Sequence, residues 1–144
     1  MKNQTFPPVP EDIIDKCLND LKFSANGLIP AIAQQHDTGE VLMMAWMNGD
    51  ALRRTLSSGT VCYWSRSRQA LWQKGETSGQ IQILKNFRYD CDRDTILLLV
   101  DQKGVACHTG RRNCFYHEVD ADGIKTISEV EINPENLYSD KKPS

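Results

Sequence analysis

One stretch of the chain, residues 90 to 114, concentrates side chains that bind metal ions. Three alternating aspartates open it, and three cysteines and a histidine share it. These residues are Asp90, Asp92, Asp94, Cys91, Cys107, Cys114 and His108. Carboxylate oxygens suit magnesium or calcium, whereas thiolates suit zinc or iron. The stretch therefore predicts sites for two different ions.

The aspartates predict a site for a hard cation. If the strand before Asp90 continues through Asp94, the three carboxylates share one face of the strand and Cys91 points to the other. Carboxylates held so close repel one another unless a cation lies between them. A solvated acidic turn is the simpler alternative. A calcium loop of EF-hand type is excluded, because Thr95 stands where its sharp turn requires glycine.

The cysteines predict a zinc site. Three protein ligands and a water make a catalytic site, whereas a fourth protein ligand closes it as a structural one. We predict a hairpin with its turn at residues 101 to 104, which would place Cys107 opposite Leu98. Cys91 would then lie seven residues further along the strand, at a distance of about 23 Å. Either the strand bends sharply after Asp94 or the third thiolate comes from a second copy of the chain, and we favour the second copy.

The composition describes the kind of protein that must carry these ligands. The 144 residues fit one domain, and 40% hydrophobic with 25% charged residues is typical of soluble globular proteins. A net charge of −2 disfavours a general partner such as nucleic acid or a membrane surface. The N-terminus lacks an apolar signal sequence. The five cysteines are an odd number without framework spacing, which favours a reducing cytoplasm over a secreted, disulfide-bonded protein.

The first elements to position the ligands are helices and a hairpin. An amphipathic helix is predicted over residues 11 to 22, with Cys17 on its apolar face. Two apolar runs, residues 28 to 36 and 40 to 47, flank a short glycine-containing loop and predict a β-hairpin. Residues 48 to 59 predict a helix capped by asparagine or aspartate and ended by glycine.

The second half of the chain predicts further strands. Residues 67 to 79 are polar but contain a tryptophan, so we interpret them as an ordered functional loop. Residues 80 to 89 predict a half-buried strand with Ile81 and Ile83 on its buried face. A further strand is predicted at residues 115 to 119, and a poorly ordered tail from residue 134 to 144. The sum is an α+β fold, mainly an antiparallel β-sheet with a few short helices.

Five ordered motifs resemble one enzyme family. They are Y-W-S-R-S-R at 63 to 68, L-W-Q-K-G-E-T-S-G at 71 to 79, D-C-D-R-D at 90 to 94, A-C-H-T-G at 106 to 110 and C-F at 114 to 115. Together they resemble phosphoribosyl-AMP cyclohydrolase of histidine biosynthesis. The resemblance covers residues 25 to 118. It implies a catalytic domain at 25 to 120, between an N-terminal extension with a short helix at 1 to 24 and a C-terminal tail at 121 to 144, without a fused pyrophosphohydrolase domain.

The resemblance also implies the metal ligands and the assembly. In that family zinc is bound by cysteines that match Cys91, Cys107 and Cys114. Its magnesium aspartates match Asp90, Asp92 and Asp94. The family forms homodimers in which the chains share metal ligands, so an intertwined homodimer is expected here. Magnesium at the aspartates would either bridge to a substrate phosphate or only brace the fold.

The implied reaction adds water at C6 of 1-(5-phosphoribosyl)-AMP and breaks the N1–C6 bond of the adenine ring. Zinc would supply the nucleophile, since it lowers the pKa of bound water from about 15.7 to about 7. His108 is the first candidate for proton transfer, unless it is a fourth zinc ligand or only orients one. His117 is a second candidate, unless it is hydrogen-bonded core. Glu76 could orient water, or simply pair with Lys74.

The substrate carries two phosphates and a purine, which suggests which side chains bind it. Guanidinium groups bind phosphate bidentately, hydroxyl groups hydrogen-bond to it, and indole rings stack on bases or merely pack. The candidates are Trp64, Arg66, Arg68, Trp72, Lys74, Thr77, Ser78, Arg111 and Arg112. The alternative functions are another zinc-dependent nucleotide hydrolase or deaminase, although the deaminase signatures are absent, and a zinc-stabilised binding module without catalysis.

Overall fold

The computed structural model describes residues 6 to 139 of the chain. Within these residues the elements follow one another in the order α1 Glu11–Asp20, β1 Ile29–Gln35, β2 Val41–Met47, α2 Gly49–Ser58, β3 Cys62–Ser65, β4 Ala70–Gln73, β5 Gln82–Tyr89, β6 Ile96–Gln102, β7 His117–Asp120, β8 Gly123–Thr126 and α3 Pro134–Ser139. Two of these helices precede the midpoint of the chain, as predicted. None of the described helices is long and apolar enough to cross a membrane.

The main sheet has six strands in the order β4-β3-β2-β1-β6-β5. Strands β1 and β6 run parallel, and the other neighbours are antiparallel. The sheet curls, because Thr60 forms a bridge with Ile83 and the Val61 N–H donates to the Gln82 carbonyl at 3.1 Å. These contacts join the start of β3 to β5. The predicted α+β class with a mainly antiparallel sheet is confirmed.

Local sequence signals explain the elements before the site. The β1–β2 hairpin forms as predicted, and Gly39 takes the left-handed backbone conformation that its tight loop requires. Asn48 caps α2 by accepting a hydrogen bond from the Ala51 N–H at 2.8 Å, and Gly59 ends the helix. Cys17 is only half-buried and packs at the margin of the core.

The prediction of a second hairpin, with its turn at residues 101 to 104, is wrong. Residues 105 to 110 form turns and bends after β6 rather than a returning strand. Strand β6 has no free edge, because β1 pairs with one side and β5 with the other. Leu98 accordingly lies opposite Ala33 and Phe87. Cys107 therefore does not lie opposite Leu98.

Strand β5 has the reverse of the predicted phase. Gln82 and Leu84 are fully buried, whereas Ile81 and Ile83 are only partly buried. Burial of Gln82 is tolerated because its amide accepts from the Tyr63 hydroxyl at 2.7 Å and donates to a second glutamine side chain. The stretch at 67 to 79 is also not a pure loop, since it contains β4.

The end of the described chain forms a small separate sheet. Strand β7 begins at His117, so it overlaps the predicted strand at 115 to 119 only in part. It pairs with β8 rather than with the main sheet. Within the stretch predicted to be a poorly ordered tail, residues 134 to 139 form α3. Residues 1 to 5, at the start of the predicted N-terminal extension, and 140 to 144, predicted to be poorly ordered, lie outside the described residues.

Candidate active site

Two of the three predicted zinc ligands lie together. A tight loop carries Cys107, whose N–H donates to the Arg111 carbonyl at 3.1 Å, and the Cys114 N–H donates to the Leu42 carbonyl at 2.7 Å, which fixes it beside β2. Burial, the charge of Cys107 and a hydrogen bond from it together raise the pKa of Cys114 to about 12. Cys107 is buried and Cys114 half-buried, and the Cys114 thiol therefore stays protonated without a cation.

Lys74, the residue after β4, lies close to this cysteine pair. Its side chain is buried, with 7% of its surface exposed, and its Nζ donates to the Ala106 carbonyl at 2.9 Å. Burial lowers the pKa of Lys74, while the nearby Cys114 and Cys107 act in the opposite direction. A buried ammonium is costly unless negative charge lies near it. The structure thus places a cation against two groups that become anions when they bind metal.

The G-E-T-S-G stretch after Lys74 folds back onto the start of β5. Gly75 has a φ of 86°, and a Cβ there would lie 2.5 Å from the Ile81 nitrogen, so only glycine fits this turn. The Gly79 N–H donates to the Gly75 carbonyl at 2.7 Å and is not free for an anion. The Gln80 side chain links this turn to the cysteine loop, residues 105 to 114, because it accepts a hydrogen bond from the Val105 N–H at 2.9 Å.

A cavity of about 380 Å³ opens beside this turn. Its lining is Arg68, Trp72, Lys74, Gly75, Thr77 and Ser78. Five of these six are predicted substrate-binding residues, and they supply two cations, two hydroxyl groups and an indole ring. The volume lies within the range of small-molecule sites. Such a lining suits an anionic aromatic ligand.

A larger cavity of about 680 Å³ lies elsewhere, between α1, the segment before it and β5. Its lining is mostly apolar and includes Phe6, Val9, Ile13 and Phe87. It contains none of the candidate catalytic or substrate-binding residues. The charged cavity beside Lys74 is therefore the better candidate for a phosphorylated substrate, although it is the smaller one.

Some predicted substrate residues lie outside the charged cavity. Trp72 pairs with Tyr63, and the next residue, Trp64, pairs with Leu71. Because paired side chains share a face and successive ones alternate, Trp64 and Trp72 lie on opposite faces of the sheet. Arg66 is exposed, and its guanidinium lies 4.9 Å from the centre of the Trp46 ring.

The two adjacent arginines of the cysteine loop make internal contacts. Arg111 lies over the Tyr116 ring at 4.1 Å and donates to the Ser128 carbonyl at 3.1 Å. Arg112 donates to the Gln35 side chain at 2.8 Å and also forms an ion pair with Glu40. Further acceptors of Arg112 are the carbonyls of Gln102 and Gly104. These contacts favour a structural role for Arg112.

The three aspartates converge, although not as predicted. Strand β5 ends at Tyr89, and a turn follows in which Arg93 has a φ of 65°, so the strand does not continue through Asp94. One carboxylate oxygen from each aspartate nevertheless lies within 4.8 Å of the others. Desolvation raises the pKa of Asp90, but hydrogen bonds from the backbone N–H groups of Asp94 and Thr95 outweigh it, and the pKa is lowered.

Cys91 lies in this exposed turn, far from the other two cysteines. Its Sγ is 3.7 Å from an Asp92 carboxylate oxygen, so it shares the aspartate turn rather than pointing behind a strand. All of β6 separates it from Cys107. In residues 6 to 139 the three aspartates are the one group of potential ligands that converges, and the three cysteines do not.

The proton-transfer candidates occupy different surroundings. His108 is exposed and directly follows Cys107. His117 is exposed rather than core, on β7, with its ring 4.4 Å from that of Tyr116. Glu76 accepts a hydrogen bond from the Gln73 N–H at 3.0 Å, and no Lys74–Glu76 ion pair occurs among the described residues.

Comparison with known proteins relates most of the chain to one enzyme family. A sequence model of the family phosphoribosyl-AMP cyclohydrolase matches residues 43–116. A phosphoribosyl-AMP cyclohydrolase of Magnetococcus marinus is 65% identical over 121 residues, covering 84% of this chain and 94% of the relative. One from Rhodospirillum centenum is 61% identical over 126 residues, covering 88% and 95%, and one from Gluconobacter oxydans is 62% identical over 134 residues, covering 93% and 85%.

The chain belongs to the phosphoribosyl-AMP cyclohydrolase family. The resemblance drawn from the five motifs is thereby confirmed. The matched residues 43–116 contain every candidate site residue except His117. Helix α1 lies before them.

Sequence reasoning missed the polar network behind the cyclohydrolase site. The Tyr63 ring lies 5.3 Å from Trp72, and burial and the nearby charge of Cys114 raise the pKa of its hydroxyl. Tyr63 donates to Gln82, which donates in turn to Gln102 at 2.9 Å. Glutamine within a strand gives no sign of burial in the sequence, because it more often faces solvent.

Proposed function

We propose that the protein opens the adenine ring of 1-(5-phosphoribosyl)-AMP by hydrolysis of the N1–C6 bond, in histidine biosynthesis. The observation that carries the proposal is the pair of adjacent cysteines Cys107 and Cys114, faced by Lys74 at the wall of a cationic cavity. Relatives with this name, 60–65% identical over most of the chain, supply the reaction. In the product the six-membered ring of adenine is open and the imidazole ring is intact, and no ammonia is released.

The cysteine pair suits zinc. Thiolate donors select zinc among the common divalent ions, and both thiols already lie side by side with a cation next to them. Two ligands leave the site open for a third and for water. When bound, zinc would supply a Lewis acid that makes water a nucleophile near neutral pH.

The third thiolate is proposed to come from a second copy of the chain. Strand β6 has seven residues and spans about 20 Å at about 3.3 Å per residue. Cys91 precedes this strand, whereas Cys107 follows it, so one protomer cannot bring them to the same ion. A two-fold homodimer solves this, because each Cys91 can then reach the partner's cysteine pair.

The chain's own residues would bind and orient the substrate. Arg68, Thr77 and Ser78 are placed to bind a phosphate at the cavity. Trp72, at the same cavity, is placed to stack on the purine. His108 is exposed beside Cys107 and can exchange a proton with the attacking water or the departing N1.

The aspartate turn is proposed to hold magnesium. Three exposed carboxylates offer oxygen atoms within 4.8 Å of one another, which is a donor set that magnesium accepts. Because Cys91 lies in the same turn, the proposed dimer would bring this magnesium site near the partner's cysteine pair. All five cysteines are free thiols, which supports the proposal that the protein acts in a reducing cytoplasm.

A subunit-mixing experiment tests the shared site. Cys91→Ser and Cys107→Ser are each expected to bind no zinc tightly and to be inactive toward phosphoribosyl-AMP, with ring opening followed by absorbance. Mixing the two proteins after dissociation should restore about a quarter of the wild-type activity, because half of the dimers are mixed and each has one intact site. Cys17→Ser, which removes a cysteine outside the pair, is the control. Failure of the mixture to regain activity would contradict the shared site, and ammonia release would contradict ring opening.

A further inference from the structure

The last turn of helix α1 is hydrogen-bonded to both ends of the aspartate turn. Asp20, the last residue of α1, accepts a hydrogen bond from the Tyr89 hydroxyl at 2.7 Å and another from the Arg93 guanidinium at 3.0 Å. The Lys22 N–H donates to the Arg93 carbonyl at 2.7 Å. Two hydrogen bonds from Asp20 and one from Lys22, two residues after the helix, therefore connect the end of α1 to residues that flank or lie within the turn.

Arg93 needs this support. Its φ of 65° lies in the left-handed region, which is unfavourable for a residue with a Cβ. Within the turn, only its N–H is held, by the Asp90 carbonyl at 3.0 Å. The remaining anchors of Arg93 are Asp20, at the end of α1, which binds its side chain, and the Lys22 N–H, just after the helix, which binds its carbonyl.

No hydrophobic packing replaces these anchors. The side chains of residues 90 to 94 are all exposed, and exposed turns without packing open easily. The conformation of Arg93 sets the reversal of the chain that brings Asp90 and Asp94 to the same side. The Asp90 carboxylate still accepts from the N–H groups of Asp94 and Thr95, so loss of the anchors would loosen the turn and weaken the convergence of the carboxylates without unfolding the core.

We propose that Asp20 is a positioning residue that holds the 90 to 94 turn in the conformation in which the three aspartates converge and Cys91 is presented. This rests on the proposed function for what the turn binds, and on the observed hydrogen bonds for how the turn is held. Helix α1 precedes the residues matched by the family model. The N-terminal extension thus contributes to the site through contacts rather than ligands.

Helix α1 supplies a matched control. Asp15 lies on the same helix and forms an ion pair with Arg53 of α2 at 2.9 Å, but it does not contact the aspartate turn. Asp15→Ala and Asp20→Ala each remove an exposed aspartate and its pair with an arginine. Only Asp20→Ala removes contacts to Tyr89 and Arg93. General loosening of the helix would affect both variants alike.

The first measurement is hydrogen exchange in the metal-free full-length protein. In Asp20→Ala the amides of Arg93, Asp94 and Thr95 should exchange about 3- to 10-fold faster, as expected for losing two hydrogen bonds to a partly exposed carboxylate. In Asp15→Ala these amides should exchange at the wild-type rate. Asp20→Glu should recover part of the protection. Equal protection in Asp20→Ala and wild type, or equal loss in both alanine variants, would overturn the proposal.

The second measurement is magnesium binding by calorimetry, which separates this inference from the proposed function. Asp20→Ala should bind magnesium about 3- to 10-fold more weakly than wild type, and Asp15→Ala as wild type does. If the wild type binds no magnesium while the exchange difference is present, the magnesium assignment fails and the role of Asp20 is supported. If magnesium binds equally to all three proteins, Asp20 does not position the carboxylates.

Discussion

Lys74 offers a sharp test of how the thiol pair is charged. Lys74→Met replaces a buried ammonium with an apolar side chain of similar length. The variant loses the hydrogen bond to the Ala106 carbonyl, worth about 1.5–3 kcal/mol for a charged donor. It also removes the cost of burying a cation. These effects oppose each other, so we expect the metal-free variant to fold with a free energy of unfolding close to that of wild type.

Zinc affinity should respond much more strongly. In metal-free protein the Cys114 thiol is protonated, with burial first among the causes that raise its pKa. Lys74 acts against this rise. Groups that support metal ligands without binding the metal typically contribute 10- to 100-fold in affinity, which corresponds to about 1.4–2.7 kcal/mol. Lys74→Met should weaken zinc binding by about that factor.

The assay is competition for zinc against a chromophoric chelator at pH 7.5. Lys103→Met is the matched control, because Lys103 is an exposed lysine on the segment between β6 and the cysteine loop and pairs with Asp101. Its zinc affinity should equal that of wild type. If Lys74→Met keeps full zinc affinity and instead raises KM, then Lys74 binds a substrate phosphate and the argument from the thiols is refuted.

Three further predictions concern pH, proton transfer and the arginine network. Because the pKa of Cys114 rises from 9.0 to about 12 on folding, its contribution to stability is complete below pH 9 and is lost between pH 9 and 12. In metal-free protein, the free energy of unfolding measured with urea should fall over this pH range in wild type but not in Cys114→Ala. Parallel pH dependences in the two proteins would contradict this prediction. His108→Ala should lower kcat at least tenfold and flatten its pH profile, whereas His36→Ala, on the β1–β2 turn, should not; an unchanged profile removes His108 from proton transfer. Arg112→Met should cost about 2–4 kcal/mol of stability because it leaves buried acceptors unpaired, and unchanged urea unfolding with a raised KM would instead assign Arg112 to the substrate.

The elements that sequence reasoning predicted well have local causes. The cap at Asn48 and the end of α2 at Gly59 depend on neighbours within one helical turn. The β1–β2 hairpin likewise depends on a short loop between two apolar runs. The convergence of the aspartates was also predictable, since five residues cannot carry three carboxylates far apart. In each case the decisive contact joins residues close in the chain.

The errors arise where distant residues decide. Residues 101 to 104 carry the same turn signals as the first hairpin, but β5 and β1 already occupy both edges of β6, which no local pattern reveals. The buried phase of β5 is set by Gln82, whose amide is satisfied by Tyr63 and Gln102. The position of Lys74 beside the cysteines likewise depends on a distant contact, since the Ala106 carbonyl that accepts its hydrogen bond lies 32 positions away in the chain.

The charges of the proposed zinc complex explain why a lysine is buried there. Lys74 has no carboxylate partner within residues 6 to 139, and the acceptor of its hydrogen bond is a carbonyl. Its charge therefore has no fixed anionic partner in that part of the chain. With both thiols ionised and a third thiolate supplied by Cys91 of a second copy, three negative charges face a divalent ion and one ammonium, and the sum is zero. A site with only the two local thiolates would keep a net positive charge at low dielectric, which is costly. The buried lysine thus independently favours three thiolates over two, and since one protomer cannot supply the third, it favours the dimer as well.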